Sequence, residues 1–475
     1  ENLTRRPTMD RTDALRYQKV TSLLWSFSLP AIVGMVVNAL YNIVDRIFLG
    51  RGIGTLAIAA TTVAFPMMII LMAVSVLIGV GATALISIRL GEGKQEEAEV
   101  VAGNAMTMLV LLPAVFALIF FLYTEPILTL FGASQEVMPY AKDFMKIIML
   151  GAAFSSLGLG ANNFIRAEGN PRMAMYTQLL GGSINVVLNY IFIFQFGWGM
   201  KGSAFATVLA QLATCLWVMS YFLGGRSLVK IRWKNLLPKR SVLAGIMAIG
   251  FAPFAMQVAN SVQQLILNKT IIHYSGDIAL SAVGIMMSIA TIMFMPILGL
   301  AQGAQPIIGF NYGARQYGRV KETFKIAVMA GTAIAGTGWL AVHIWPSQII
   351  GLFTRDDQEL INLTTHAIKI YFLMFPVIGF QIIGSNYFQA VGKALQATIL
   401  SLSRQVLIFI PMLLILPRLW GIEGVWRTPP ISDFLSVLLT GTFIFFEMRK
   451  ISRLEKRGRE WEDEDDLASA CTDTP

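Results

Sequence analysis

Charged residues are scarce in this sequence: Asp, Glu, Lys and Arg together make up only 14% of the 475 residues. Cysteine is scarcer still, and the two that are present, Cys215 and Cys471, exclude a disulfide-stabilised scaffold. Hydrophobic residues account for 55% of the chain, and the mean hydropathy is +0.63. Apolar segments long enough to cross a bilayer recur along the whole length, so we predict an all-α polytopic membrane protein.

The positive charges are concentrated between the apolar segments. A net charge of +9 can indicate a nucleic-acid-binding protein, but these Lys and Arg residues crowd the two chain ends, a mid-chain linker and the segment 315–325. Positive charge in connecting segments is typical of loops that stay in the cytoplasm. We therefore predict a multi-pass protein of the cell membrane that contacts the lipid bilayer and no nucleic acid, with both termini and the linker cytoplasmic.

Two cytoplasmic termini require an even number of spans, and the apolar segments indicate twelve. We number them spans 1 to 12, near residues 21–49, 57–88, 99–123, 139–167, 172–195, 203–224, 241–274, 278–310, 324–346, 364–391, 394–417 and 424–447. The chain then divides into an N-terminal tail (1–20), a first lobe (21–224), a linker (225–240), a second lobe (241–447) and a C-terminal tail (448–475).

The two halves of the chain repeat each other. A shift of 222 to 223 residues places Pro30 on Pro253, and it places Gly81 and Gly91 on Gly303 and Gly313. With six spans in each half, both copies enter the membrane in the same direction, which gives lobes related by a pseudo-two-fold axis along the membrane normal. We expect two six-helix lobes around a cleft, and transport by alternating access.

Span 1 contains a carboxylate within a polar stripe. The residues of this stripe follow one another at helical spacing, and they are Asn38, Tyr41, Asn42 and Asp45. A charge inside a membrane helix costs about 3 kcal/mol on insertion scales, so such an acid is a functional candidate by default. The alternative is a helix-end Asp that reaches the interface beside Arg46. The repeat places Asn268 at the corresponding position of span 7, so the charge is specific to the first lobe.

Polar residues of spans 5 and 6 are the expected neighbours of Asp45, because they follow one face of each helix. They are Asn185, Asn189, Ser203, Thr207 and Gln211. Carboxylate, amide and hydroxyl oxygens together can hold a proton or Na⁺, since hard cations favour oxygen ligands. The alternative is that these side chains only join one helix to another.

The polar faces of the second lobe are neutral. We predict a substrate cavity lined from both lobes by Asn38, Tyr41, Asn42, Gln211, Gln257, Ser261, Gln264, Gln302, Gln305 and Gln381. The spans of the second lobe nevertheless contain two charged residues. Asp433 in span 12 is a second buried-acid candidate, and Arg404 in span 11 needs a partner or a wet cavity. At the end of span 4, Arg166 and Glu168 are predicted to form a structural ion pair.

Four segments resemble the multidrug and toxic compound extrusion (MATE) family, in its prokaryotic MepA-like branch. They run from Leu40 to Asp45, Asn162 to Gly169, Ser183 to Asn189 and Gln302 to Ala314. The resemblance implies secondary active efflux of small organic cations and other amphipathic drugs, driven by H⁺ or Na⁺. We expect a monomer that needs no cofactor beyond this coupling ion.

The resemblance also implies roles for single residues. Asp45 matches the coupling acid of the family, Asn185 its amide partner on span 5 and Thr207 its hydroxyl on span 6. Asn189 stands where this branch commonly has Asp, so a site with two carboxylates becomes a site with one. A Na⁺ site at Asp45 is therefore not carried over directly from the family.

Two other functional classes are alternatives to the transport of drugs. A lipid-linked oligosaccharide flippase of the same superfamily would share the two lobes, but we would expect more Arg and Lys inside its cavity. A membrane-embedded enzyme would need paired acids for metal-pyrophosphate chemistry or a His-Glu metal motif, and the sequence has neither. We therefore predict a transporter that is not an enzyme.

Overall fold

The computed structural model describes residues 13–131, 133–353 and 358–472, with side chains described at most positions as far as residue 456. Within these ranges the backbone forms helices and turns and no strand. Ten segments are long and apolar enough to cross a membrane, and two pairs of helices that bend at a short break bring the number of spans to twelve. The predicted all-α fold with twelve spans is confirmed.

The first lobe contains spans 1 to 6. In chain order they are Val20–Gly52, Thr55–Gly91, Gln95–Leu122, the bent pair Met138–Leu150 and Ala152–Ala167, Pro171–Tyr190 with the π-helical turn Ile191–Gln195, and Gly199–Leu223. Span 4 bends by 54° at Gly151. A short helix, Thr124–Leu130, lies between spans 3 and 4.

The second lobe contains spans 7 to 12. Its helices are Arg240–Gly313 (spans 7 and 8), Tyr317–Ile344, the bent pair Gln358–Tyr371 and Phe375–Ala390, Ala394–Leu402 with the π-helical turn Ser403–Phe409 and the continuing helix Ile410–Trp420, and Ile422–Thr472. Span 10 bends by 51°, so both lobes bend the fourth span of their repeat. Two short helices are Trp233–Asn235, in the linker, and Pro346–Ile350, between spans 9 and 10.

Spans 7 and 8 are joined by a bend within helical backbone, where the sequence predicted a break. A straight helix would separate Ile246 from Phe310 by about 96 Å, at 1.5 Å per residue. The carbonyl of Ile246 nevertheless lies against Gly81, and that of Phe310 lies against Gly91, which is only about 15 Å further along span 2. The chain therefore reverses direction between the two spans, Arg240–Ser275 and Ser281–Gly313, which lie side by side.

The lobes meet in the half of the spans that lies nearer to the linker. Span 8 packs so closely on span 1 that a Cβ added at Gly303 would lie 2.6 Å from the Cα of Ser28. Backbone of span 2 approaches Gly250 of span 7 in the same way. Arg166 of span 4 donates a hydrogen bond to Gln302 of span 8. These contacts close the molecule at the end that we call the linker end.

The linker itself is bound to the first lobe. Span 3 contacts it through four pairs, which are Gln95 with Leu228, Glu99 with Arg232, Asn104 with Asn235 and Thr107 with Leu236. The backbone N–H of Lys239 also donates to Asn104, at 2.5 Å. Because Lys239 directly precedes span 7, the linker packs on the first lobe over nearly its whole length.

The predicted ion pair between Arg166 and Glu168 is wrong. The two residues are two positions apart, and side chains at that spacing do not face each other on a helix. Arg166 is buried and donates to the side-chain oxygens of Gln302 and Asn163, which are both neutral amides. Its charge therefore belongs to the contact between the lobes.

Glu168 instead holds the linker. Its carboxylate is fully buried, and its four hydrogen-bond donors are the hydroxyls of Tyr221 and Ser227 and the backbone N–H groups of Leu228 and Val229. Burial raises the pKa of Glu168 to about 7, although each of these hydrogen bonds acts in the opposite direction. The end of span 4 thus carries an acid that titrates near neutral pH.

Candidate functional site

Spans 1 and 5 pack closely enough to bring their polar faces together. Gly34 of span 1 lies against the side-chain amide of Gln178, and a Cβ added there would come within 1.9 Å of its Oε1. Further along, a Cβ at Gly182 of span 5 would touch Tyr41 at 3.8 Å. Odd-numbered spans run in the same direction, so this contact continues towards Asp45 on span 1.

Asp45 begins a chain of hydrogen bonds through the first lobe. Its Oδ1 accepts a hydrogen bond of 2.8 Å from Nδ2 of Asn189, which also donates to Oδ1 of Asn185 at 3.1 Å. Asn185 donates in turn to the hydroxyl of Thr207 at 3.3 Å, and Thr207 donates to the backbone carbonyl of Ser203 at 3.1 Å. The four residues predicted for the coupling-ion site are therefore neighbours, drawn from spans 1, 5 and 6.

The polarity of this chain suits an ionised carboxylate. The NH₂ group of Asn189 faces Asp45, and an ionised acid can only accept hydrogen bonds. Two buried oxygens of the site, Oδ1 of Asn189 and the hydroxyl of Ser203, have no hydrogen-bond partner in the described part of the chain. Both are available to a proton or a cation that enters the site.

The described residues contain no group of three His, Cys, Asp or Glu side chains that could hold a metal ion. At Asp45, Na⁺ would meet the carboxylate but also the NH₂ group of Asn189. Half a turn of that amide would exchange its nitrogen for its oxygen, and the two orientations are equivalent in shape. Carboxylate and amide oxygens are ligands that suit Na⁺, so the site fits this ion in the turned form.

The predicted cavity positions of the first lobe lie in different surroundings. Asn38 is exposed and Tyr41 is half-buried on span 1, whereas the side chain of Asn42 lies outside the described part of the structure. Gln211 of span 6 packs beside Gly151, at the bend of span 4. Its Oε1 is buried, and no described residue donates a hydrogen bond to it.

The predicted positions of the second lobe form two groups. Those on span 7 are half-buried or exposed, and they are Gln257, Ser261 and Gln264. Gln305 and Gln381, on spans 8 and 10, are buried, whereas Gln302 of span 8 is half-buried and accepts a hydrogen bond from Arg166. Across the cleft, Nε2 of Gln257 lies 3.9 Å from Sδ of Met72 in span 2. Of these predicted positions, the exposed one, Ser261, lies on span 7.

Sequence reasoning singled out Arg404 and Asp433 separately and missed that they form one ion pair. Nε of Arg404 lies 2.6 Å from Oδ1 of Asp433, between spans 11 and 12. The next residue, Gln405, donates a hydrogen bond to Asn260 of span 7, and neither residue was predicted. The available signal was the presence of two opposite charges in consecutive spans of one lobe, since an intramembrane charge needs a partner.

A family model described as MatE matches the chain twice, over residues 30–191 and 253–415. The second match begins 223 residues after the first, which agrees with the repeat found in the sequence. The two matches together cover more than half of the chain and fall on both lobes.

Individual relatives match over most of their length. The chain is 28% identical over 426 residues to the protein named Multidrug export protein MepA of Staphylococcus aureus (strain MSSA476), a match that covers 90% of this chain and 94% of that protein. A solved structure described as the outward-facing conformation of a multidrug resistance MATE family transporter of the MOP superfamily aligns with a TM-score of 0.88 at 25% identity, over 94% of this chain and 99% of the other.

A second solved structure, of the MATE multidrug transporter DinF-BH in complex with R6G, has a TM-score of 0.83 and 37% identity, over 89% of this chain and 95% of the other. Both structures share the two-lobe fold.

Proposed function

Because the chain belongs to the MatE family, we propose that this multidrug efflux transporter is an antiporter, which exports small organic cations or other amphipathic drugs in exchange for H⁺ or Na⁺. Asp45 is the coupling acid. The observation that carries the proposal is the chain of hydrogen bonds from Asp45 through Asn189 and Asn185 to Thr207. A carboxylate inside a membrane helix that accepts a hydrogen bond from a neutral amide can accept a positive charge from outside the protein.

Asp45 holds one positive charge at a time. Its ionised form attracts a cationic substrate, and a proton or Na⁺ removes that attraction. Substrate and coupling ion therefore compete for one carboxylate, which links the entry of the ion to the exit of the substrate. Because Asn189 replaces the second acid, no other carboxylate of this chain of hydrogen bonds shares the task.

The amide of Asn189 transmits the change in charge to spans 5 and 6. Ionised Asp45 accepts from Nδ2 of Asn189, whereas protonated Asp45 carries a hydroxyl that needs an acceptor. Half a turn of the amide offers Oδ1 to that hydroxyl and withdraws Nδ2 from Asn185. The hydrogen bonding between spans 1 and 5 then differs in the two charge states, and such a difference is what lets an ion shift a conformational equilibrium.

We further propose that the linker end faces the cytoplasm, because Lys and Arg residues crowd the linker and both chain ends. The closed linker end then corresponds to a cytoplasmic side that is shut. The protein works as a monomer in the cell membrane, and its coupling ion is the only cofactor it needs.

Dye efflux from proteoliposomes tests the proposal, under an imposed pH gradient or an imposed Na⁺ gradient. We expect one of the two gradients to drive efflux in the wild type. The variant Asp45→Asn should reduce this efflux to the rate of empty liposomes, whereas Glu322→Gln, which removes an exposed carboxylate of span 9, should leave it near the wild-type rate.

Normal gradient-driven export by Asp45→Asn would show that another group couples the ion. If neither gradient moved dye in the wild type, the lipid-linked oligosaccharide flippase would become the favoured function.

A further inference from the structure

The second lobe contains a buried ion pair that the proposed coupling site does not use. Nε of Arg404 on span 11 contacts Oδ1 of Asp433 on span 12 at 2.6 Å, and the side chains are 22% and 4% exposed. The guanidinium thus covers the carboxylate. Whatever surface the pair leaves accessible belongs mainly to the cation.

The carboxylate of the pair lies on the buried side of span 12. Asp433 shares the buried side of span 12 with Ser432 and Ser436, and the exposed side of the same helix carries Phe434 and Leu438. Arg404 therefore reaches the inward side of span 12.

Aromatic rings on spans 8 and 10 enclose the guanidinium from the other side. The guanidinium carbon of Arg404 lies 5.4 Å from the ring centre of Phe294, on span 8. That ring packs in turn against the buried Phe375 of span 10, at 5.1 Å. Spans 8, 10 and 12 together surround the charge, so it faces the interior of the second lobe.

Several hydrogen-bond donors near this ion pair have no acceptor among the described residues. Only Nε of Arg404 is bonded, and neither of its two Nη groups donates a hydrogen bond to a described residue. Two helical turns before Asp433 on the same side of span 12, Nε1 of Trp426 is fully buried and also lacks a described partner. All of these groups are donors and cannot accept. Unbonded donors on a partly buried guanidinium and on a fully buried indole favour a ligand that supplies acceptor oxygens.

We propose that Arg404 binds the carboxylate of a zwitterionic amphipathic substrate in the second lobe, with Asp433 holding the guanidinium in position. The planar fork of Nη groups matches the two oxygens of a carboxylate, which is the geometry that makes Arg differ from Lys. The pair is neutral before the substrate arrives, so a bare anion would add an unbalanced charge. A substrate that carries its own cationic group adds none. The inference rests on the proposed drug efflux and names a class of substrate for it.

The test compares two dyes that differ in one group, a cationic xanthene dye with a free carboxylate and its ethyl ester. Their dissociation constants are measured by fluorescence titration with the full-length protein in lipid nanodiscs. Two variants are used. The double variant R404Q/D433N removes both charges and keeps the lobe neutral, and R404K keeps the ion pair but removes the planar fork.

We expect the preference for the acid over the ester, expressed as the ratio of the two dissociation constants, to fall at least about tenfold in both variants, in line with the loss of a hydrogen-bonded charge pair. An unchanged ratio in R404K and in the double variant would overturn the proposal. R404K is decisive if the double variant fails to fold. Efflux of the ester by the wild type tests the proposed function separately, since the ester cannot use a carboxylate site.

Discussion

The two lobes gather polar groups at corresponding places but balance their charge differently. In the first lobe the cluster joins spans 1, 5 and 6, and its one carboxylate, Asp45, is bound by the neutral amide of Asn189. In the second lobe the cluster joins spans 7, 11 and 12, which repeat spans 1, 5 and 6, and its carboxylate, Asp433, is bound by Arg404. The repeat preserves the location of the polar groups and not their net charge.

This difference supports the proposal that Asp45, and not Asp433, responds to ions. A carboxylate bound by a neutral amide can gain a proton or a cation and leave that amide uncharged. A carboxylate held by a buried guanidinium cannot lose its charge without leaving that guanidinium uncompensated. We therefore infer that ion coupling belongs to the first lobe, while the charge pair of the second lobe is permanent.

The largest expected difference between the lobes is in the stability lost when the acid of each lobe is removed. Asp433→Asn leaves Arg404 without its partner, and losing half of a buried ion pair typically costs about 3 to 5 kcal/mol of stability. Asp45→Asn keeps an acceptor for Asn189 and should cost about 1 kcal/mol or less. The apparent melting temperatures of the two variants in detergent, measured by fluorescence-detected size-exclusion chromatography, check this order.

The double variant R404Q/D433N is the matched control, because it removes both charges of the pair. It should recover most of the stability that D433N loses. A loss of stability in D45N as large as that in D433N would mean that both acids are structural.

The fold could largely be predicted from the sequence, because hydropathy and the repeat depend on residue type alone. The partners of Asp45 could be predicted as well, since Asn185, Asn189 and Thr207 lie on single helix faces and the family resemblance links them. Their roles in ion coupling stay predictions. Those roles depend on how a proton or Na⁺ changes the site, and a sequence pattern does not contain that information.

The ion pair of the second lobe depends on information that a sequence pattern does not contain. Arg404 lies in the π-helical turn Ser403–Phe409, where the side-chain period departs from that of an α-helix. A face drawn at the ordinary spacing therefore does not show which neighbouring span the guanidinium meets. The pairing became visible only when the packing of spans 8, 10 and 12 was known.

The linker end extends the contrast between the lobes and offers a second test. Glu168 binds the linker in the first lobe, and the repeat places the apolar Val391 at its position in the second lobe. There, Lys393, in the turn between spans 10 and 11, forms an ion pair with Glu447 of span 12 instead. The second lobe therefore lacks an acid at the position where the first lobe has one that titrates near neutral pH.

Stability should fall as the pH rises, because of Glu168. Its pKa is raised from 4.5 to about 7 by burial, so between these values the folded chain binds the proton more tightly than the unfolded chain. Raising the pH through this window removes up to about 3 kcal/mol of stability, at about 1.4 kcal/mol per pH unit. Melting curves of wild type and Glu168→Gln from pH 5 to 8 should diverge, with the smaller decline in the variant. Parallel curves would assign the pH dependence to other groups.

The smallest expected effect concerns a contact that crosses from the first lobe to the second. The segment before span 1 is held by Arg319 of span 9, whose Nη2 donates to the carbonyls of Leu15 at 3.1 Å and Gln18 at 2.8 Å. Asn311 of span 8 donates to the same Leu15 carbonyl at 3.3 Å and accepts from Nε of Arg319 at 3.0 Å. Leu15 is buried, so the segment ties the lobes together at the linker end.

Arg319→Gln should therefore make the linker end open more often. Loss of these partly exposed hydrogen bonds is expected to cost about 1 kcal/mol, which corresponds to a roughly fivefold change in population. A cysteine at Ser28, which lies against Gly303 when the lobes are closed, reports opening through its rate of maleimide labelling in a background without Cys215 and Cys471. Lys325→Gln removes an exposed charge from the same span and should not change the rate. Equal labelling in both variants would show that packing of the lobes alone keeps the linker end closed, and that the segment before span 1 contributes nothing to it.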